Sequence, residues 1–291
     1  MNCFILQIPI FLCGFVVHAI HSSFNTQVLF KLHYTTFLMV EKIFNEGIFV
    51  VHALKGYEYH EARIKELFKV NGLNFEFVTD GDPSNFTNEL IGKYFVPNIQ
   101  NIIPSKGTIS CTLNHIYAYE KIAARNIEYA IVFENDPFFL GDFKKHITKM
   151  FSEIERLPKG FIISLENTTL KFPSFWQTKK GKYLYRAKRG RMAGAYIVDL
   201  EGAKRLVEDL KSNKCNAVID WWHNNVIVRG VVKMYWSYPS IVEQGSHNGF
   251  MSSTISSKSK SALRRISWLF QKYYKTIFKR LFNEKRIIKE A

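Results

Sequence analysis

Apolar runs that alternate with stretches of helical periodicity constrain this chain more than any other feature. "GIFVVHA" (47–53), "FEFVTD" (75–80), "YAIVFE" (129–134), "GFIISLE" (160–166) and "AGAYIVD" (193–199) read as strands. Helices are expected over "EYHEARIKELFKVNG" (58–72, stopped by Gly72), "SCTLNHIYAYEKIAARN" (110–126), residues 141–156 and "LEGAKRLVEDLKSN" (200–213). This order predicts an α/β fold with a mostly parallel central sheet and helices on both faces, in which ligands bind at the carboxyl ends of the strands. No internal repeat is visible.

One run carries chemistry. "YAIVFENDPFFL" (129–140) breaks on Glu134, Asn135 and Asp136 before turning apolar again. Two carboxylates at the end of a buried strand are costly unless a cation sits beside them. Oxygen ligands of this kind suit Mg²⁺ or Mn²⁺, which bind one or two carboxylates together with substrate phosphates. The competing reading is a pair of turn or helix-capping residues.

Composition bounds the alternatives. With 291 residues and 47% hydrophobic content the chain can bury a full core, which excludes general disorder. The cysteines, Cys3, Cys13, Cys111 and Cys215, show neither paired CxxC spacing nor a disulfide framework, so reduced thiols in a cytosolic setting are expected. The net charge of +15 is uneven: from Lys258 onward eleven Lys and Arg face two Glu, so this segment holds +9. On a helical wheel Leu263, Ile266, Phe270, Tyr273, Tyr274, Ile277 and Leu281 share one face, opposite Arg264, Arg265, Lys272, Lys275 and Lys279. Such a basic amphipathic helix either lies on an anionic membrane surface or packs on the domain; no nucleic-acid module accompanies it. Residues 3–20 are almost wholly apolar and admit three readings: a start upstream of the true one at Met39, a membrane anchor or a signal peptide. The expected organisation is an apolar extension over 1–40, a catalytic domain over 41–257 and a basic tail over 258–291.

Taken in order, "SKGTISCTLNHIYAYEKI", "YAIVFENDPFF", "GAYIVDLEGAKRL", "VIDWW" and "YPSIVEQGS" resemble glycosyltransferase family 25, the lipooligosaccharide-type sugar transferases of bacteria. The resemblance covers about Gly47 to Ser253. The family's Glu-Asp-Asp is Glu134-Asn135-Asp136 here, which keeps the outer carboxylates and loses the middle charge. Its Gly-Glu is Gly107-Thr108 and its Ser-His is Asn114-His115.

The resemblance implies a GT-A-like (Rossmann-like) nucleotide-sugar-binding domain, followed by the C-terminal amphipathic helix. It implies transfer of a hexose, most often galactose, from a UDP-sugar to a lipooligosaccharide or related lipid-linked glycan, by a cytoplasmic enzyme peripheral at the inner membrane. Glu134 and Asp136 would hold Mn²⁺ or Mg²⁺, with His247 as a third ligand. Asp80 and Asp82 are placed for ribose or uracil, and Lys55 and Arg63 for the diphosphate, against readings as turn residues and solvated charges. If the reaction inverts, Asp220 is the candidate general base and Glu243 its competitor; a helix cap is the bland reading of Asp220. His115 reads as a buried histidine beneath the metal-bearing strand. From Lys171 to Arg191 eight Lys and Arg and no acid surround a hairpin-like "FWQTKKGKYLYRA", suited to a phosphorylated acceptor or simply solvated. A weak or inactive family member serving as a membrane-surface protein is the alternative that Asn135 motivates.

Overall fold

The computed structural model describes residues 35–103, 105–251 and 262–281; the expectations for the extreme N-terminus lie outside them. Helical residues 35–46 (α1) lead into β1 (Ile48–Val51), α2 (Glu58–Val70) and β2 (Glu76–Val78). Short helices α3 (Asn88–Tyr94) and α4 (Ile99–Ile102) precede the long α5 (Lys106–Ala124). Then come β3 (Tyr129–Phe133), β4 (Pro137–Phe139), α6 (Phe143–Ile154), β5 (Phe161–Ser164), β6 (Leu184–Ala187), β7 (Ala195–Asp199) and α7 (Leu200–Ser212). The chain continues through α8 (Ile219–Val228), β8 (Lys233–Ser237), β9 (Val242–Gln244), α9 (Gly245–Asn248) and α10 (Ala262–Leu281).

Seven strands form one sheet in the order β2-β1-β3-β7-β5-β8-β6, and β4 pairs with β9 in a separate two-stranded ribbon. The sheet is mixed but mostly parallel. β7 runs antiparallel to both β3 and β5, and β6 is antiparallel to β8, while the other five strands share one direction. The reversal of β7 was not visible in its apolar run, because strand direction depends on the connection and not on the strand's own side chains.

Period-two alternation along the central strands splits the core into two layers. Phe49 and Val51 of β1 and Val132 of β3 pack with Leu113 and Ile116 of α5 on one face. Ile48 and Val50, with Ile131 and Phe133, pack with Ile64 and Phe68 of α2 and with Ile147 and Phe151 of α6 on the other. Because both faces are covered, these strands are continuously apolar. The second layer also contains Val40, Ile43 and Phe44, so α1 supplies core before the strand at which the sequence reading began its elements.

The expected hairpin over "FWQTKKGKYLYRA" is not formed. Its turn is present, with Gly181 at φ +78°, but Phe175–Gln177 is a 3₁₀ turn closed by a capping box at Ser174. Only β6 is strand there, and its partner is β8.

Phe44 is 1% exposed. Phe44→Ala should therefore cost about 3–5 kcal/mol of stability, read as a lowered urea midpoint; an unchanged midpoint would show that α1 is not part of the core.

Candidate active site

The connections determine where a ligand can enter. From β1 the chain crosses α2 to β2 on one side, and later returns through α5 to β3 on the other. With α2 and α5 on opposite faces, a crevice opens beyond the carboxyl ends of β1 and β3, the usual binding position in such sheets. A cavity of about 350 Å³ lies there, lined by Val51, His52, Lys55, Asp82, Cys111 and Glu134 among others. Asn114 of α5 braces its wall: Oδ1 accepts from Gly81 N at 2.7 Å and Nδ2 donates to His52 O at 3.3 Å.

Glu134 leaves the end of β3 and is held in a closed ring of hydrogen bonds. Its backbone N–H donates to Gly194 O at 2.9 Å, and its Oε2 accepts from Gln244 Nε2 at 2.8 Å. Gln244 Oε1 bonds to Thr168 Oγ1 at 2.8 Å, and Thr168 Oγ1 also bonds to Glu166 Oε2. Glu166 Oε1 accepts from Gly194 N at 2.9 Å, which closes the ring. A Cβ on residue 194 would fall 2.3 Å from the Gln244 side chain, so only glycine lets that amide lie across the backbone. Burial holds the Glu166 carboxyl well above its ordinary range, with Asp220 and Glu134 adding to the effect. The Thr168 hydroxyl lies as donor between the Glu166 and Gln244 oxygens, and Gln244 turns its N–H toward Glu134.

Glu134, whose side chain is a quarter exposed, has its pKa raised to about 8, first by desolvation and then by Asp136. Asp136 is buried: Oδ2 accepts from Ser246 N at 2.8 Å, while Oδ1 has no hydrogen-bond partner. Asp220 is raised to about 7 by burial and then by Glu134; the Ala193 N–H donates to its carboxyl, but its Oδ1 also lacks a partner. The unpaired Oδ1 of Asp136 and the Glu134 carboxyl, two residues apart beyond β3, are oxygen donors of the kind a hard divalent cation takes.

His115 is buried and lowered to about 3 by desolvation, hence neutral. Its Nδ1 bonds to Tyr196 Oη at 2.8 Å, and that hydroxyl continues through Tyr119 to His223 Nε2. Its Nε2 has no hydrogen-bond partner and lies 3.7 Å from Glu134 Oε1. Among the described residues Cys111, His115 and Glu134 form a group whose ligand atoms all lie within 4.8 Å of one another. The expected trio of Glu134, Asp136 and His247 does not, since His247 belongs to the short α9, beyond the Gly245–Ser246 corner that Asp136 caps.

The other expected residues divide. Lys55 and Asp82 line the cavity. Asp82 is lowered by hydrogen bonds from Ser84, first from its hydroxyl. Asp80 points outward to Lys121 at 3.3 Å. Arg63 stacks 4.0 Å from the Phe138 ring and donates to Pro137 O, bracing β4 and not reaching the cavity lining. Glu243 faces away from the ring because alternate residues of β9 point to opposite sides; it pairs with Lys272 of α10. Asp220 is not a cap, since Val218 holds that position. Glu166 and Gln244 were missed, although Glu166 ends "GFIISLE" as Glu134 ends "YAIVFE", an apolar run closing on a carboxylate.

The cavity, with Asp82 and Glu134 in its lining, lies at the switch point of this α/β sheet. The chain belongs to glycosyltransferase family 25: the family model, described as an LPS biosynthesis protein, matches residues 45–221. A "Glycosyltransferase 25 family member" from Aedes aegypti is 24% identical over 212 residues, covering 63% of this chain. The chain spans about a third (34%) of the length of that curated relative.

Glu134 and Asp220 are protonated in the folded chain at pH values where the unfolded chain has already ionised them. Their stabilising contribution is complete below about pH 4 and lost as pH rises through about 7 to 8. In metal-free protein the thermal midpoint should fall between about pH 5 and 8 more steeply for wild type than for Glu134→Gln, and Mn²⁺ should remove the difference. Parallel curves would refute the assignment of Glu134 as a proton-holding site.

Proposed function

We propose that this chain is a GT-A-like hexosyltransferase that uses Mn²⁺ or Mg²⁺ to move a hexose, galactose by the family resemblance, from a UDP-sugar to a glycan of the lipooligosaccharide type. Family membership supports glycosyl transfer in general. The observation that carries the donor reading is the cavity of about 350 Å³ with Glu134 and the first turns of α5 in its lining. Gly107, Ser110 and Cys111 bring the positive end of the α5 dipole to that wall, and Lys55 adds a cation at the rim; both favour a diphosphate. Asp82, ionised and held by Ser84, offers acceptor oxygens to ribose hydroxyls.

Glu134 and Asp136 are the residues that would hold the divalent ion; bound there, it supplies Lewis-acid neutralisation of the charge growing on the leaving diphosphate. The Gln244 amide keeps the Glu134 carboxylate oriented for that task. Asp220 serves as general base. Its raised pKa and its unpaired Oδ1 suit it to take the proton of the acceptor hydroxyl as that oxygen attacks the anomeric carbon. Of the two tryptophans that follow Asp220, Trp222 is fully buried, whereas Trp221 is 63% exposed and offers an aromatic face to the acceptor sugar.

Glu134→Gln and Asp136→Asn should each lower Mn²⁺-dependent UDP-galactose turnover by about a hundredfold or more, while Asn135→Asp preserves or raises it. Asp220→Asn should lower kcat by roughly 10²–10⁴ with UDP affinity retained. Wild-type turnover in Asp136→Asn across a Mn²⁺ titration would remove the metal assignment.

Trp221→Ala should raise the acceptor KM by about tenfold, as the loss of roughly 1–3 kcal/mol of stacking implies, and leave hydrolysis of the donor to water unchanged. A matching fall in donor hydrolysis would place Trp221 elsewhere in the mechanism.

A further inference from the structure

α10 is docked the wrong way round for a helix held by its apolar stripe. The side turned to the domain is largely the one that the helical wheel marks as basic. Lys272 pairs with Glu243, and the Arg265 guanidinium lies 4.1 Å from the Phe250 ring. Arg280 Nε donates to Pro173 O at 2.8 Å, and its guanidinium stacks 4.0 Å from Phe175 and 4.5 Å from Tyr238. Trp268, 9% exposed, is the apolar contribution to this seam, packing with Leu170 and Phe172 in a small cluster apart from the main core. The opposite side carries Leu263, Ile266, Phe270 and Tyr273, which are 64% to 79% exposed, continued by Phe278 and Leu281. A surface helix normally turns such a stripe inward, and an exposed apolar row of this length marks an interaction surface.

We propose that α10 is a strap whose cationic side is clamped to the domain and whose outward apolar face beds in the interfacial zone of an anionic lipid bilayer. Charge selects the occupant. The sequence flanking the helix adds Lys258, Lys260, Lys285, Arg286 and Lys289 against Glu284 and Glu290, a composition that anionic headgroups attract. A second copy on the same face would press together two segments of +9 each, which like-charge repulsion opposes. None of the described helices is long and apolar enough to cross a membrane, so α10 lies in the surface plane. The clamp also reaches the carboxylate ring: Glu243, which holds Lys272, precedes Gln244, which holds Glu134. Binding through α10 therefore sets the cavity at a fixed position relative to the bilayer.

The test is co-sedimentation of the full chain with phosphatidylglycerol–phosphatidylcholine vesicles and with pure phosphatidylcholine vesicles, at low and high salt, beside sedimentation equilibrium without lipid. The wild type should bind the anionic vesicles at least about tenfold more tightly than the neutral ones, and more weakly in high salt. The variant Leu263→Ser/Phe270→Ser/Tyr273→Ser, altered only at exposed positions, should keep its thermal midpoint and lose at least about tenfold in partitioning. Equal binding of wild type to both vesicles, or to neither, overturns the proposal without reference to the variant. Undiminished partitioning of a folded variant overturns it as well. A lipid-free dimer that the triple substitution dissociates would assign the face to a second copy instead.

Discussion

Three carboxyl groups, Glu134, Glu166 and Asp220, are sunk at the carboxyl edge of the sheet, with Glu134 close enough to raise the pKa values of the other two. Burying them as anions would be prohibitive, and the surrounding structure is what makes the arrangement tolerable. Burial raises the Glu166 carboxyl above its ordinary range, the Thr168 hydroxyl lies as donor between it and Gln244, and Gln244 turns its N–H to Glu134. Gly194 donates to one carboxyl, accepts from the backbone of another and leaves room for the amide between them. Even the reversed strand serves this end, because β7 between β3 and β5 is what brings Gly194 between the ends of the strands that carry Glu134 and Glu166.

Two carboxyls outside this ring are not fully satisfied. Asp136 and Asp220 each keep one oxygen without a partner. They belong to different elements, the β3–β4 corner and the first turn of α8. In the proposed reaction that separation would set a stabilised leaving group on one side and a base on the other.

Much of this was legible in the chain itself, for physical reasons. A strand covered on both faces must be continuously apolar, so a carboxylate closing such a run is conspicuous, and Glu134 was found that way. Glu166 carries the same signature at the end of "GFIISLE" and was passed over because no second acid follows it. What could not be read is whatever depends on pairing at long range. Alternation gives two faces for β9 but does not say that Gln244 meets the site and Glu243 meets Lys272, 29 residues further on. The direction of β7, the ribbon of β4 with β9 and the inverted docking of α10 have the same origin. Nor does the sequence say that Arg63 turns to Phe138 and Asp80 to Lys121, since a charged side chain near a strand end has as many ways to face outward as inward.

The central claim is that Glu134, held by Gln244 and paired with Asp136, is the cation and donor site of a sugar transferase. Anomalous diffraction at the manganese edge from crystals soaked with Mn²⁺ and UDP tests it most directly. The account predicts one anomalous peak within coordination distance of Glu134 and Asp136, with UDP in the cavity beside Lys55 and Asp82. A peak on Cys111 and His115 without Asp136, or UDP bound away from this cavity, would contradict it.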